Sequence, residues 1–428
     1  MKSDEYRYEG EIIKSVREIF WGWYVVIGAF FIMIVTYGVR YSFGVFVKPM
    51  FAEYNWPMTI ISLGASINLV MYACSSLFTG WLLDRIAPKW VMTTGILVTT
   101  LGLILSSFVR TPLHLYLCYG VLVGAGSAGC GAVVSSATVG KWFVRHRGLA
   151  IGISSMGIGV GTMIMAPFAG YIVQQYGWRV GFLSIGTLML VVGIIISQIF
   201  MGKTGPEEMG LLPDGDRSGE EANVSLQINH PAEKVSIKPI LKNTRFWLLA
   251  VCNIFAVMTV MMTFVHQIPY AVNNGIDKLE AAAALGVVGV TGSLGKFFFG
   301  WLSDRIRDAK YSAAFGMFVM SVGMFLLLKA KTVFLLYLFA LVYGFGYGSL
   351  APVMPYLVSD RFGRHILGAA YGLLIFFATG FGGSIGPVLG GYIYDKTGSY
   401  DLGWTINIVI LLIVGFLIMT LKPAGERN

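Results

Sequence analysis

Charged residues are scarce in this chain. They make up 12% of 428 positions against 56% hydrophobic, and the mean hydropathy is +0.72. A soluble protein of this length carries about twice that charged fraction. The deficit excludes a water-solvated globule, and the long apolar runs that recur from end to end require lipid instead. Cysteine is equally sparse. Cys74, Cys118, Cys130 and Cys252 all fall inside apolar runs, which excludes a disulfide framework and a spaced set of metal ligands. Nucleotide-binding motifs, catalytic triads and His/Cys/Asp/Glu clusters are missing, so no catalytic residue, cofactor or metal is expected and an enzyme is not the reading. The net charge of +9 is dispersed over short loops, which argues against nucleic acid. The first 19 residues are polar and amphipathic, unlike a cleaved signal peptide.

What is abundant is apolar sequence in helix-length blocks. A helix needs about 20 apolar residues to cross a hydrocarbon core of about 30 Å, and lipid offers the backbone no other partner. Reading from turn signal to turn signal predicts spans at 20–47, 58–82, 89–109, 112–140, 148–175, 178–201, 245–272, 280–303, 310–329, 332–358, 366–394 and 402–421. The fold class is therefore all-α integral membrane, with twelve transmembrane helices in two pseudo-symmetric six-helix bundles. The predicted organisation is an N-terminal segment 1–19, a first bundle 20–202, a linker 203–244, a second bundle 245–421 and a tail 422–428. Of the 31 basic residues, 22 fall in the termini and loops of one side and seven on the other. By the positive-inside rule that bias places both termini and the polar linker in the cytoplasm. The expected location is a plasma membrane, of the bacterial inner-membrane type.

The two halves echo each other. "GWLLDRIAPK" returns as "GWLSDRIRDA", so Gly80, Asp84 and Arg85 recur as Gly300, Asp304 and Arg305 at an offset of 220. The same offset pairs Gly148, Ala150 and Gly152 with Gly368, Ala370 and Gly372. Two halves of one plan in a membrane protein point to a transporter with an internal pseudo-two-fold axis. The first of these loops resembles the Gly-x-x-x-Asp-Arg signature of the major facilitator superfamily, and the second resembles its second-half copy. The resemblance implies that Gly80, Asp84, Arg85, Gly300, Asp304 and Arg305 act as conformational latches. "WGWYVVIGAFF" at Trp21 and "KWFVRHRGLAIGISSMGIGVG" at Lys141 are similar to the monocarboxylate transporter family. Oxalate–formate antiporters share the branch, and "GKFFFGWLSDR" fits their helix-8 cation followed by a Gly-x-x-x-Asp loop.

Away from the helix ends no acidic residue lies inside a predicted span, but two cations do: Arg40 in helix 1 and Lys296 in helix 8. A charge at the bilayer centre costs about 2.5–3.5 kcal/mol or more, so an unpaired one calls for water, a counter-ion or a ligand. Each lies eight residues from a helix end, roughly 12 Å deep at 1.5 Å per residue, near the midplane where such folds bind cargo. Helical stepping from Lys296 meets Gly289, Gly292, Ser293, Gly300 and Ser303, a small and polar face. The bland alternative is a side chain that snorkels to the headgroups. Tyr37 and Tyr41 beside Arg40, Asn68, Tyr72, Tyr119, His266, Gln267, Tyr343, Tyr347 and Tyr371 are further candidates for a polar cavity. A tyrosine hydroxyl donates to a carboxylate without adding charge, although tyrosines in membrane helices also serve as packing and interface anchors. His266 reads equally as a gate or an interface residue.

Two departures from the resembling families bear on coupling. The proton-coupled monocarboxylate transporters carry an Asp one turn before the helix-8 cation, where this chain has Gly292, and their helix-1 lysine falls at Tyr41. The oxalate antiporters carry a helix-11 lysine that falls at Ala378. Together these readings predict a monomeric secondary active transporter for small organic anions such as lactate-, formate- or oxalate-like carboxylates. Either a counter-anion is exchanged, or Lys296 is neutral when empty and takes up a proton together with the cargo. The alternatives are a carrier of inorganic anions or drug-like molecules, or a non-transporting membrane sensor. The linker, about 42 residues and polar, is too short to be a folded sensor domain.

Overall fold

The computed structural model describes residues 20–216 and 238–422. The predicted segments 1–19 and 423–428, and the central part of the linker, lie outside the described residues. Eleven helices among the described residues are long and apolar enough to cross a membrane. The longest, Arg147–Phe200, is two spans in series, because Gly177 at φ 85° breaks the helical path as only glycine does without strain. The count is thus twelve. We number them α1 (Trp21–Tyr54), α2 (Met58–Leu83), α3 (Pro88–Ser106), α4 (Pro112–Trp142), α5 (147–176) and α6 (178–200) in the first half. The second half holds α7 (Thr244–Asn273), α8 (Lys278–Arg305), α9 (Ala309–Leu328), α10 (Val333–Phe362), α11 (Arg364–Thr397) and α12 (Asp401–Met419). Every predicted span is present. The largest discrepancy is α1, which continues past residue 47 to Tyr54 because helix continues beyond the apolar core.

Local chemistry sets these boundaries. Pro88 and Pro112 sit in the first turns of α3 and α4, where a missing N–H costs nothing. Asp277, Asp308 and Asn243 cap α8, α9 and α7 by accepting from backbone N–H groups of the first turn. The Ser42 hydroxyl donates to the Gly38 carbonyl at 2.6 Å, marking a one-residue irregularity between Trp21–Tyr41 and Phe43–Tyr54. Helix α4 contains a π-helical turn, Tyr116–Val123, and an extended residue at Gly131, and α11 contains a second π turn, Ala378–Gly382. Such turns concentrate at functional sites.

Small residues draw the helices together. Helix α5 is the pivot. A Cβ on Gly157 or Gly161 would overlap the Phe30 or Ile34 carbonyl of α1, and Cβ atoms on Gly148 and Gly152 would collide with α8 at Gly300 and Lys296. In the pseudo-symmetric seam, Gly80 of α2 meets Gly368 and Gly372 of α11, while Gly300 of α8 meets Gly148 and Gly152 of α5. The repeated glycines recognised by their offset thus face one another crosswise, each half supplying the partner for the other.

The start of the linker is folded, in contrast to the flexible tether expected. Asp214, at φ 64°, accepts from the backbone N–H groups of Val144 and Arg145 at 2.9 Å each and of His146 at 3.2 Å. Arg145 clasps Asp216 with bonds of 2.7 and 2.8 Å, and Glu207 pairs with Arg364 of the other half at 2.5 Å. Burial alone would push the Asp214 carboxyl up, but the Arg145 and Val144 N–H groups and the His146 ring hold it below the usual carboxylate value.

Candidate functional site

Two cations, Arg40 on α1 and Lys296 on α8, lie within membrane-spanning helices. Lys296 is 2% exposed, and among the described residues neither it nor the Arg40 guanidinium has an ion-pair partner. Each is seated against a tyrosine ring instead. The Arg40 guanidinium carbon lies 4.0 Å from the Tyr72 ring centroid, and Lys296 Nζ lies 5.2 Å from that of Tyr347. Rings supply about 0.5–2 kcal/mol to a cation without neutralising it. Tyr347 is also an electrostatic neighbour of Tyr41, the residue after Arg40, so the two cation environments from opposite halves adjoin. Helix α5, packed on both α1 and α8, sets that spacing. The place of Gly292 is explained by packing: a Cβ there would stand 3.0 Å from Tyr347 Cδ1, so the Tyr347 ring closes over that position.

The other sequence candidates separate into three groups. Tyr37 and Tyr72 are joined by their hydroxyls at 3.0 Å, and Tyr371 is an electrostatic neighbour of Tyr72. These belong with Arg40. Asn68 and Tyr119 are supports: the Asn68 amide donates to the Tyr119 carbonyl at 3.0 Å, and the Tyr119 hydroxyl donates to the Arg40 carbonyl at 3.3 Å while its ring stacks on Phe43. His266, Gln267 and Tyr343 lie elsewhere. His266 Nε2 meets the Pro387 carbonyl at 2.8 Å and its ring packs on Tyr400, which joins α7 to α11. Tyr343 is wholly buried against Gly323 of α9, inside the second bundle, and Gln267 is 1% exposed within α7.

The residues of the two expected latch loops divide between the seam and the surface. Asp84 accepts from the N–H groups of Gly368 and Ala369 at 3.3 and 2.8 Å, and Asp304 accepts from those of Gly148 and Leu149 at 2.7 Å each. Each carboxylate therefore caps the first turn of a helix from the opposite half, where the helix dipole favours negative charge. Arg85 and Arg305 take no part: both are exposed and lie over Trp81 and Trp301, because the residue after each Asp points out of the seam. The basic partner is Lys141 at the end of α4, 3.0 Å from Asp84. Sequence reasoning placed Lys141 only among loop cations. Burial pushes the Asp84 carboxyl up, against the pull of Lys141 and the two N–H groups. With glycines in contact and both carboxylates engaged, the halves are closed together on the face that bears these loops.

A profile of the Major Facilitator Superfamily matches residues 29–377 and 267–428. The chain belongs to the major facilitator superfamily. Monocarboxylate transporter 12 of Homo sapiens is 28% identical over 382 residues, covering 83% of this chain and 72% of that protein. Monocarboxylate transporter 13 of Rattus norvegicus is 28% identical over 361 residues, covering 83% and 78%. Among solved structures, the proton:xylose symporter XylE superposes with a TM-score of 0.74 at 13% identity, over 94% of this chain and 96% of that one. The E. coli fucose:proton symporter FucP gives 0.67 at 15% identity, over 93% and 99%. The superfamily member described here is a multi-pass membrane transporter of the monocarboxylate-transporter-like branch, and it is not an enzyme.

Proposed function

We propose that this superfamily member is a secondary active carrier of small organic anions, mono- or dicarboxylates, working by alternating access. The observation that carries the reading is the pair Arg40 and Lys296, one from each half, each resting on a tyrosine ring with no carboxylate as counter-ion. A buried unpaired charge is expensive in a membrane, and a carboxylate cargo is the counter-ion that offsets it. The relatives named as monocarboxylate transporters are in keeping with that class. The charge bias of the loops supports a cytoplasmic side for the closed face.

Two coupling schemes fit a site without a carboxylate. In exchange, the cationic site reorients only when an anion neutralises it. In symport, a proton arrives with the anion and leaves with it. Uptake of radiolabelled formate, lactate and oxalate into proteoliposomes, with and without a pH gradient and with and without internal anion, tests the reading and separates the schemes. Saturable uptake of at least one anion is expected. Stimulation by an inward proton gradient identifies symport, and dependence on internal anion identifies exchange. Transport of none of the anions in any condition, by protein that remains folded, refutes the substrate class.

A further inference from the structure

Arg40 is held by a chain of contacts that begins at a break in another helix. Helix α4 runs as Gly124–Cys130 and Ala132–Trp142, with Gly131 between them in an extended conformation at φ −81° and ψ −164°. An extended residue inside a helix takes the next N–H out of the ladder. That N–H belongs to Ala132, and it donates to the Tyr37 hydroxyl at 3.3 Å. The Tyr37 hydroxyl in turn meets the Tyr72 hydroxyl at 3.0 Å, and the Tyr72 ring lies beneath Arg40 with the guanidinium carbon 4.0 Å from its centroid. Both tyrosines are buried, at 7% and 3% exposure, so neither is free to find another partner in water. A Cβ at Gly131 would stand 2.9 Å from both Tyr72 Cε2 and its hydroxyl oxygen, which makes the absence of a side chain there a condition for the ring's position. The Arg40 carbonyl is fixed from the same helix by the Tyr119 hydroxyl at 3.3 Å.

We propose that Tyr72, anchored through Tyr37 to the broken turn of α4 at Gly131, is a positioning residue that aims the Arg40 guanidinium at the cargo. The inference rests on the reading of Arg40 as an anion ligand. The guanidinium is long and flexible, and loses rotamer entropy when fixed. A ring that holds it beforehand removes part of that cost from the binding step, the usual origin of preorganised affinity. The cation–π contact supplies the hold, and the two hydroxyl bonds keep the ring from swinging away. Gly131 is then a determinant of anion affinity although it carries no ligand atom.

The test is a double-mutant cycle on the full-length protein in nanodiscs, with dissociation constants for radiolabelled formate, lactate and oxalate. Arg40→Gln weakens binding. Tyr72→Leu weakens it by about threefold to thirtyfold when Arg40 is present, and by less than about twofold in the Arg40→Gln background, since the ring acts only through the arginine. Tyr37→Phe, which leaves the ring in place and removes its hydroxyl anchor, weakens binding by about twofold to tenfold, a typical worth for one hydrogen bond. It carries the same cycle if Tyr72→Leu does not fold. Equal losses in both backgrounds, or no loss from either tyrosine variant, overturn the positioning role while leaving Arg40 as a ligand. An unchanged affinity in Arg40→Gln alone overturns the underlying anion reading, a separate outcome.

Discussion

Replacing Lys296 by Gln gives two effects of opposite sign, and that contrast makes it the most decisive perturbation. In the empty protein Lys296 is 2% exposed and has only the Tyr347 ring, 5.2 Å away, as electrostatic support. Removing the charge relieves a penalty of about 2.5–3.5 kcal/mol or more and forfeits a cation–π contact of about 0.5–2 kcal/mol. The penalty outweighs the contact, so the empty variant is expected to be at least as stable as the parent. With cargo bound the balance reverses. Deleting one partner of a buried, hydrogen-bonded charge pair costs about 2–5 kcal/mol, which is about thirtyfold to several thousandfold in dissociation constant. Thermal unfolding in nanodiscs reads both effects in one experiment. The parent should gain stability as carboxylate is added, by about 2.7 kcal/mol at a hundredfold excess over the dissociation constant. Lys296→Gln should start at or above the parent's melting temperature and then not respond. A variant that melts lower than the parent when empty, and keeps the full ligand response, would refute the reasoning and make Lys296 a structural residue.

Three further outcomes follow from the seam and the linker. Gly80→Leu drives a side chain into the Gly368 carbonyl and Gly372 Cα, so it should prevent closure of that face, and a cysteine placed at the buried Ser76 should then react faster with a membrane-impermeant thiol reagent. Asp84→Asn should open the same seam more than Asp304→Asn opens its own. The first also removes the ion pair to Lys141 at 3.0 Å, and a hydrogen bond to a charged group contributes about 1.5–3 kcal/mol, whereas among the described residues Asp304 forms no ion pair within 4 Å and accepts from the Gly148 and Leu149 N–H groups; inter-half distances between spin labels report both. Linker docking should not weaken as pH falls from about 8 to 5. The Asp214 carboxyl is held below its ordinary value of 3.8, so its contribution is fully present above that value and is lost only as pH falls through the lowered one. Limited proteolysis of the 203–216 stretch should therefore rise in Asp214→Ala at neutral pH but not in the parent at pH 5.

Hydropathy and the glycine repeat made the twelve helices legible, because lipid leaves the backbone few alternatives and a repeated offset survives divergence. Arg40 and Lys296 stand out in the sequence for the same reason: a cation in an apolar run is an exception that physics must account for. The contacts that the sequence did not record share a different cause. Arg85 follows Asp84 in the chain yet turns to Trp81, while Lys141, 57 residues away, makes the ion pair. Adjacency in sequence says nothing about direction at a helix end. Asn68, Tyr119 and His266 read as cavity candidates because their side chains are polar, but their partners are backbone carbonyls of Tyr119, Arg40 and Pro387. Which carbonyls a neighbouring helix presents is set by tertiary packing, which no side-chain pattern records. The docking of the linker was hidden in the same way, since it depends on a left-handed Asp214 reaching three N–H groups at the start of α5.

Helix α8 links the charge to the latch. Lys296 and Asp304 stand eight residues apart on it, roughly 12 Å along one rod at 1.5 Å per residue. Between them Gly300 lies against Gly148 and Gly152 of α5, so the cation and the capping carboxylate cannot shift independently against the first half. On the proposed anion reading, drawing Lys296 toward Arg40 would tilt the rod about that glycine contact. The same tilt changes the fit of Asp304 on the Gly148 and Leu149 N–H groups. A ligand can shift a conformational equilibrium only by its differential affinity for the two states. On the proposed reading that differential would arise on α8, where neutralising the charge at Lys296 alters the leverage on the Asp304 cap. The pseudo-symmetric seam has the same cap, Asp84 on α11, but no cation on α2, so the two seams share the work of closure while the charge sensing on the second half falls to α8.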